Sequence, residues 1–578
     1  MRARRFLSSS LLIFAVCAAS AFGQGRRHLS FRVTAGPEIT APVSGRLLIF
    51  LKAGEGAKSV DVGEFSPSAV YVAAKEIERL APGESVDVDT DDIAYPGPFS
   101  DLKPGDYQAQ AVLDVGHTYD YSGRTAGDWV SAVVALAGWN PGQGTKPELR
   151  LTEKIPKRAM PKGTPAEEAA AHLEQMRSAA LTAFWGRPVD VRAWVITPPG
   201  YEAQGETRYP TVYWTHGFGG NLDYAKAMGE RIYQREAEGK MPPMIWVMLD
   251  ESLPTGTHEF ADSVNDGPWG EALTKEFIPY LEAKYRMDAK PSGRFLQGHS
   301  SGGWATLQLQ VNYPRMFGGT WSTSPDPSDF HDFTGVDLYA PHANVYRRAD
   351  GTAYPLVRAN GKVIATYEQF AKLEHVLGPY GGQMASFNWV FSPRGKDGRP
   401  LEMFNWQTGD VDPAVVAYWR DHYDLAHICK TDWAERGPYL KGKIHVWVGT
   451  ADTFYLDGSA HKFDAVLKGL GADAHFTFLP GRTHGDLYTV GKDRMGLMDE
   501  IAKQMWAVAR PSATYLTIEL KGPQPVSRTA VRYECDANGV KMGLPAGTFQ
   551  VEYLNGDGNS LAIVPLHGKP LIFANVVS

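Results

Sequence analysis

Between residues 187 and 510, short apolar runs alternate with stretches of helical spacing. "VDVRAWVIT", "YPTVYWTHG", "PPMIWVMLD", "GRFLQG", "FGGTWSTS", "KIHVWVGT" and "AHFTFLPG" read as strands. Several lack polar alternation, as expected for strands covered on both faces. One helical stretch, "WGEALTKEFIPYLEAKY", carries Leu273, Phe277, Tyr280, Leu281 and Tyr285 near helical spacing, and its Pro279 predicts a kink. This alternation implies a mostly parallel sheet with helices on both faces. It breaks over about 326–441. That insert holds Phe387, Trp389, Phe391, Phe404, Trp406, Tyr418 and Trp419. It reads as a cap over the C-terminal edge of the sheet, most of its aromatics forming its own core.

The flanks have a different pattern. Residues 28–150 show short alternating segments such as "HLSFRVTAG", "SGRLLIFLKAG" and "GDYQAQAVLDV", separated by turn signals. They predict an all-β, immunoglobulin-like sandwich. No charged or nucleophilic cluster stands out there, so an accessory role is expected. Residues 151–186 read as a linker and a helix. Thr164, Pro165 and Glu167 form a helix start, and the helix is expected to run to about Phe184. Residues 511–578 are β-rich again and predict a third, small domain.

The first residues change the picture of location. "MRARRFLSSSLLIFAVCAASAFGQ" has a basic start, an apolar stretch too short to span a bilayer, and small residues near 19–23. A cleaved signal peptide over 1–23 is expected, with a periplasmic or secreted product and no stable membrane insertion. The chain has 578 residues, 43% of them hydrophobic, and a net charge of −7, which leaves no basic footprint for nucleic acid. Of three cysteines, Cys17 would leave with the signal. Cys429 and Cys535 do not make a disulfide framework, and no Cys/His spacing fits zinc. Neither metal nor organic cofactor is expected.

The candidate chemistry starts at "RFLQGHSSGGWATLQ" (294–308), a strand running into two serines and then a helix. A nucleophilic serine at such a turn needs glycines two positions to either side, where a Cβ would strike the neighbouring strand and helix. Ser300 has Gly298 and Gly302 there. Ser301 has His299 and Gly303, and His299 would not fit. Ser300 is therefore the expected nucleophile. Ser301 is wanted for its backbone N–H in an oxyanion hole, with a dispensable side chain. A serine hydroxyl needs a base. His484, in "FLPGRTHGDLY" after the last apolar strand, stands where that base should lie. The acid that orients it should follow the preceding strand, where "VGTADTFYLDG" offers Asp452, the preferred residue, and Asp457. The second oxyanion donor is expected in "VYWTHGFGGN", at Phe218.

Together, "HGFGG", "GHSSGG", "VGTAD" and "GRTHG" resemble the putative-esterase family of α/β-hydrolases. That family includes esterase D, enterochelin esterase-like proteins, feruloyl esterases and mycolyltransferases. "ADSVNDGPWGEALTKEFIPYLEAKYR" is also similar to the family stretch ahead of the serine turn. The resemblance covers roughly 187–510 and departs at the 326–441 insert. It implies an α/β-hydrolase domain with Ser300 as nucleophile, Asp452 as acid, His484 as base, and Phe218 and Ser301 at the oxyanion hole. The tail, with "YEC" (533–535), "VEYLN" and "LAIVPLHGKPLIFANVVS", resembles the opening half of a C-type lysozyme inhibitor domain. That implies a partial small β-barrel. The expectation is a truncated or degenerate form of that domain, which leaves lysozyme as a weakly supported partner.

The expected activity is hydrolysis of a small-molecule or polysaccharide-linked carboxylic ester through an acyl-enzyme. The rivals are an acyltransferase on the same fold and a non-catalytic, cell-envelope-binding or lysozyme-inhibitor-like protein.

Overall fold

Eight strands build the central sheet: β1 (Ala171–Arg177), β2 (Asp190–Ile196), β3 (Thr211–Thr215), β4 (Ile245–Leu249), β5 (Arg294–His299), β6 (Gly319–Thr323), β7 (Ile444–Gly449) and β8 (Ala474–Leu479). Their spatial order is β1-β2-β4-β3-β5-β6-β7-β8. β2 runs antiparallel to β1 and β4, and β4 through β8 are parallel. The computed structural model describes residues 28–511, except 64–66, 68, 120, 144–145 and 158–161, together with the backbone of five strands between 516 and 577. The expected signal peptide, with Cys17, lies outside the described residues. So do the side chains of the third domain, Cys535 included. Its five strands form one sheet.

The unbroken apolar runs have a direct cause. In β3, Val212 and Trp214 pack on one face with Ala225 and Ile232 of α1 (Leu222–Ala237). Tyr213 faces the other side, against Phe277 and Leu281. Helix α2 (Ile278–Lys284) supplies Leu281. The kink expected at Pro279 takes a specific form: Ala272–Phe277 adopts π spacing, with the Ile278 N–H bonded five residues back to Leu273. Proline in the next turn has no N–H to continue the regular ladder. The serine turn opens α3 (Ser301–Asn312).

The insert between β6 and β7 carries α4 (Tyr367–Leu377), α5 (Gln383–Phe391), α6 (Pro413–Tyr423) and α7 (Leu425–Leu440). Phe387, Phe391, Phe404 and Trp419 are buried in a core that also includes Trp304 and Leu307 of α3 and Val446 of β7. The cap thus shares a core with the sheet. α8 (Leu456–Gly469) and α9 (Gly496–Ala509) complete the domain.

Ahead of it, nine strands from Ser30–Ala35 to Glu148–Lys154 join in one continuous sheet, the first parallel to the last. The long strand Val43–Ala53 is buried on both faces. Leu47, Ile49 and Leu51 face the domain's own core. Leu48 and Phe50 pack on Leu373, Val376 and Leu377 of α4.

Two boundaries differ from the sequence reading. The last strand of this sheet runs to Lys154, so residues 151–154 are not linker. The helix expected from Thr164 to Phe184 is interrupted. Its capping box forms, with Thr164 accepting from Glu167 N and Glu167 reaching back, but the helix ends at Ala170. Residues 171–177 are β1, and a second helix spans Ala179–Trp185. Pairing with β2 overrides local helix propensity here. Glu174 is buried at this edge, held by Tyr280, Tyr285 and Lys284.

Candidate active site

Ser300 stands between β5 and α3 with φ 61° and ψ −126°. A left-handed φ at a residue with a side chain costs about 1–3 kcal/mol and persists only where the surroundings enforce it. Here they do. The Ser300 N–H donates to Thr323 O at 3.0 Å, and its carbonyl accepts from Trp304 N at 3.0 Å and Asp326 N at 3.2 Å. A Cβ on Gly298 would lie 2.2 Å from Gly302 O, and one on Gly302 would lie 2.3 Å from His216 O. The strand–turn–helix therefore closes only with glycine at both positions. Ser300 is half-buried, with its side chain beside Gly217.

Ser301 is fully buried, and its hydroxyl donates to Asp326 Oδ2 at 2.6 Å. The expectation that only its backbone matters therefore needs correction: the side chain satisfies a buried carboxylate. Burial pushes the Asp326 carboxyl up to about 6, against the hydrogen bonds from Ser301 and Ser300. No sequence signal marked Asp326, which follows β6 at the start of the insert.

Asp452 and His484 come from the loops after β7 and β8. Those loops touch because Gly449 lets Arg482 O approach; a Cβ there would lie 2.0 Å from it. His484 Nδ1 is 2.9 Å from Asp452 Oδ2, and the acid side chain has no exposed surface. Its other oxygen accepts from Phe454 N at 2.9 Å. Burial works to raise the Asp452 pKa, but the charge and hydrogen bond of His484 outweigh it and hold it low. Asp457 does not join this pair. It sits in the first turn of α8 and accepts from Arg358 at 2.8 Å. The ring of His299 lies 4.4 Å from that of His484. Burial, and then His484, push its pKa down to about 3, so it is neutral at neutral pH.

Phe218 follows Gly217, the residue against Ser300, on the loop between β3 and α1. His216 beneath it is wholly buried, with Nδ1 2.9 Å from Gly217 O and Nε2 accepting from Glu251 N at 3.2 Å. This fixes the loop from inside. Above it, the Phe218 ring lies 5.8 Å from that of Tyr121 and 6.3 Å from that of Tyr119. Both tyrosines belong to the N-terminal β domain, from which the sequence reading expected nothing at the site. Tyr121 lines the cavity that holds Ser300, with Asp326, Phe370, Gln383 and Phe387. Sequence patterning has no signal for such a contact, because the two segments meet only through domain packing.

Among the described residues, Asp329, His331 and Asp424 bring donor atoms within 4.8 Å of one another. Both carboxylates already serve the protein. Asp424 accepts from Phe330 N, Tyr339 Oη and His427 N, and Asp329 accepts from His331 N. The one free cysteine among the described residues, Cys429, is buried, which pushes its thiol up to about 12.

A strained serine, a glycine loop against it and a His–Asp pair thus stand on the loops that follow β5, β3, β7 and β8. Residues 187–457 match the model of the Putative esterase family. A stretch of 167 residues is 32% identical to an esterase of Mycobacterium tuberculosis, over 28% of this chain and 35% of that protein. The chain thus spans about a third of the length of the curated relative it matches. Similar solved structures include a ferulic acid esterase, 14% identical over 59% of this chain and 97% of the other, with a TM-score of 0.35. They also include an S-formylglutathione hydrolase from Agrobacterium tumefaciens, 14% identical over 58% and 94%, with a TM-score of 0.33.

Proposed function

We propose that this protein is an exported serine esterase that cleaves a carboxylic ester through an acyl-enzyme. Ser300 Oγ attacks the carbonyl carbon. His484 takes the hydroxyl proton and returns it to the departing alcohol, and water then releases the acid by the same route. Asp452 holds the imidazole tautomer and stabilises the imidazolium. The N–H groups of Phe218 and Ser301 stabilise the oxyanion by several kcal/mol. Export rests on the signal-like first 23 residues, and an immunoglobulin-like type for the N-terminal sheet belongs to the same reading.

The observation that carries the proposal is the His484–Asp452 pair, its ring 4.4 Å from that of His299, the residue before a serine held at φ 61°. Purified full-length protein is expected to hydrolyse p-nitrophenyl acetate and to take up a fluorophosphonate probe. Ser300→Ala is expected to lose both. A variant that kept its hydrolysis would remove Ser300 from the mechanism. Transfer to an added alcohol at the expense of hydrolysis would favour an acyltransferase.

A further inference from the structure

We propose that the N-terminal β domain supplies the specificity wall of this site: Tyr121 limits the acyl group and Tyr119 borders the alcohol. The proposal rests on the serine-esterase reading and adds which residues select the ester.

Two cavities flank the Phe218 loop. One holds Ser300 and measures ≈ 40 Å³, with a mostly apolar lining that includes Tyr121, Phe370 and Phe387. A single water needs about 10–15 Å³ on this kind of measure, so the room suits an acyl group of only a few heavy atoms. The other cavity, ≈ 300 Å³, is lined by Tyr119, Phe218, Arg192, Asn221 and Ser252. Its mixed lining, with polar groups from Arg192, Asn221 and Ser252, suits a larger, hydroxyl-bearing alcohol. Tyr119 lines the second cavity and Tyr121 the first, their rings edge to face at 5.2 Å.

This wall is built into the packing. Tyr121 also meets Phe370 of α4 at 5.4 Å. Gly123, just after it, has φ 72°, and a Cβ there would lie 2.6 Å from Phe50 and 3.0 Å from Leu377. The loop is wedged between the N-terminal sheet and α4. Gly381 brings the α4–α5 turn against Tyr119, where a Cβ would lie 3.0 Å from the Tyr119 Cβ. Arg46 of the N-terminal sheet is buried and donates to Val376 O at 2.8 Å and His375 O at 3.1 Å. Its charge caps the C-terminal end of α4, where the helix dipole favours a cation. Sheet, α4 and the residues flanking Tyr119 and Tyr121 thus pack together on the side of Ser300.

The test uses full-length protein and p-nitrophenyl esters from acetate to octanoate. Wild type is expected to prefer acetate. Tyr121→Ala is expected to raise the octanoate-to-acetate ratio of kcat/KM by about 10-fold or more, as opening an apolar pocket does, with fluorophosphonate labelling retained. Tyr121→Phe, which keeps the ring, is expected to keep the ratio. Tyr119→Ala is expected to leave the acyl ratio and to change KM for acetates of bulky sugar alcohols. Should Tyr121→Ala fail to fold, Tyr121→Trp is expected to lower butyrate turnover relative to acetate. An unchanged acyl ratio in a labelled Tyr121→Ala or Tyr121→Trp protein overturns the proposal. Absence of labelling and hydrolysis in wild type overturns the esterase reading itself.

Discussion

The imidazole of His484 and the carboxylate of Asp452 meet at 2.9 Å, Nδ1 to Oδ2, although 32 residues separate them. The acid is buried, and its second oxygen is engaged by Phe454 N. The pair can therefore fix one tautomer of the ring without spending the loop's own anchor.

Asp452→Asn is expected to lower kcat by about 10⁴-fold, because an amide presents the wrong hydrogen-bonding group to the ring. The variant should still fold, since its amide oxygen can accept from Phe454 N. Asp457→Asn is expected to lose less than about 10-fold. It breaks a link to Arg358, whose Nε also steadies the Asp452 carbonyl at 2.7 Å. Steady-state kinetics with p-nitrophenyl acetate separate the two; equal losses would leave the acid unassigned.

Gly302→Ala is expected to prevent soluble expression or to lower the melting temperature sharply. Its Cβ would meet backbone carbonyls of Thr215 and His216 at 2.6 and 2.3 Å, and neither can move without opening the sheet. Overpacking of this kind costs about 1–3 kcal/mol or more. Gly469→Ala, at the end of α8 with nothing within 4 Å, is the control and should be neutral or slightly stabilising.

Asp326 gives a signed pH dependence. Burial raises its pKa from 3.8 to about 6, so the folded state binds this proton more tightly than the unfolded chain does. Its contribution to stability is therefore lost as pH rises from about 4 to about 6, by roughly 3 kcal/mol in all. Asp326→Asn removes the titration. The variant is expected to be more stable than wild type at pH 7.5 and to lose that advantage at pH 4. Glu251, which burial lifts to about 8, is also raised by the charge of Asp326, so the difference between the two urea-unfolding curves is read from pH 4 to 6.5, below the Glu251 titration. A difference that does not vary with pH would show that Asp326 does not titrate in this range.

Ser301→Ala removes the 2.6 Å donor to that carboxylate. Loss of a partner for a buried charged acceptor costs about 1–3 kcal/mol. The loss is expected at pH 7.5, where Asp326 is ionised, and should shrink towards pH 4. Thermal melts at the two pH values read it directly.

Taken alone, the sequence determined the parts of this protein that obey local rules. The apolar runs marked every strand from β2 to β8; β3 and β4 are unbroken because strands covered on both faces can hold few polar residues. The two glycines around Ser300 marked the serine turn, because no side chain fits at either position. The order of the remaining motifs placed His484 and two candidate acids after the right strands. The tertiary structure decided what depends on neighbours far along the chain. It turned residues 171–177 into an edge strand, since pairing with β2 outweighs the helix propensity of that stretch. It separated Asp452 from Asp457, because the close approach of Arg482 to Gly449 brings His484 to one acid, while Arg358 holds the other. It also put Asp326 under the serines and brought Tyr119 and Tyr121 over Phe218. Those contacts arise from the packing of the N-terminal sheet on α4, and neither periodicity nor spacing encodes how two separately patterned domains dock.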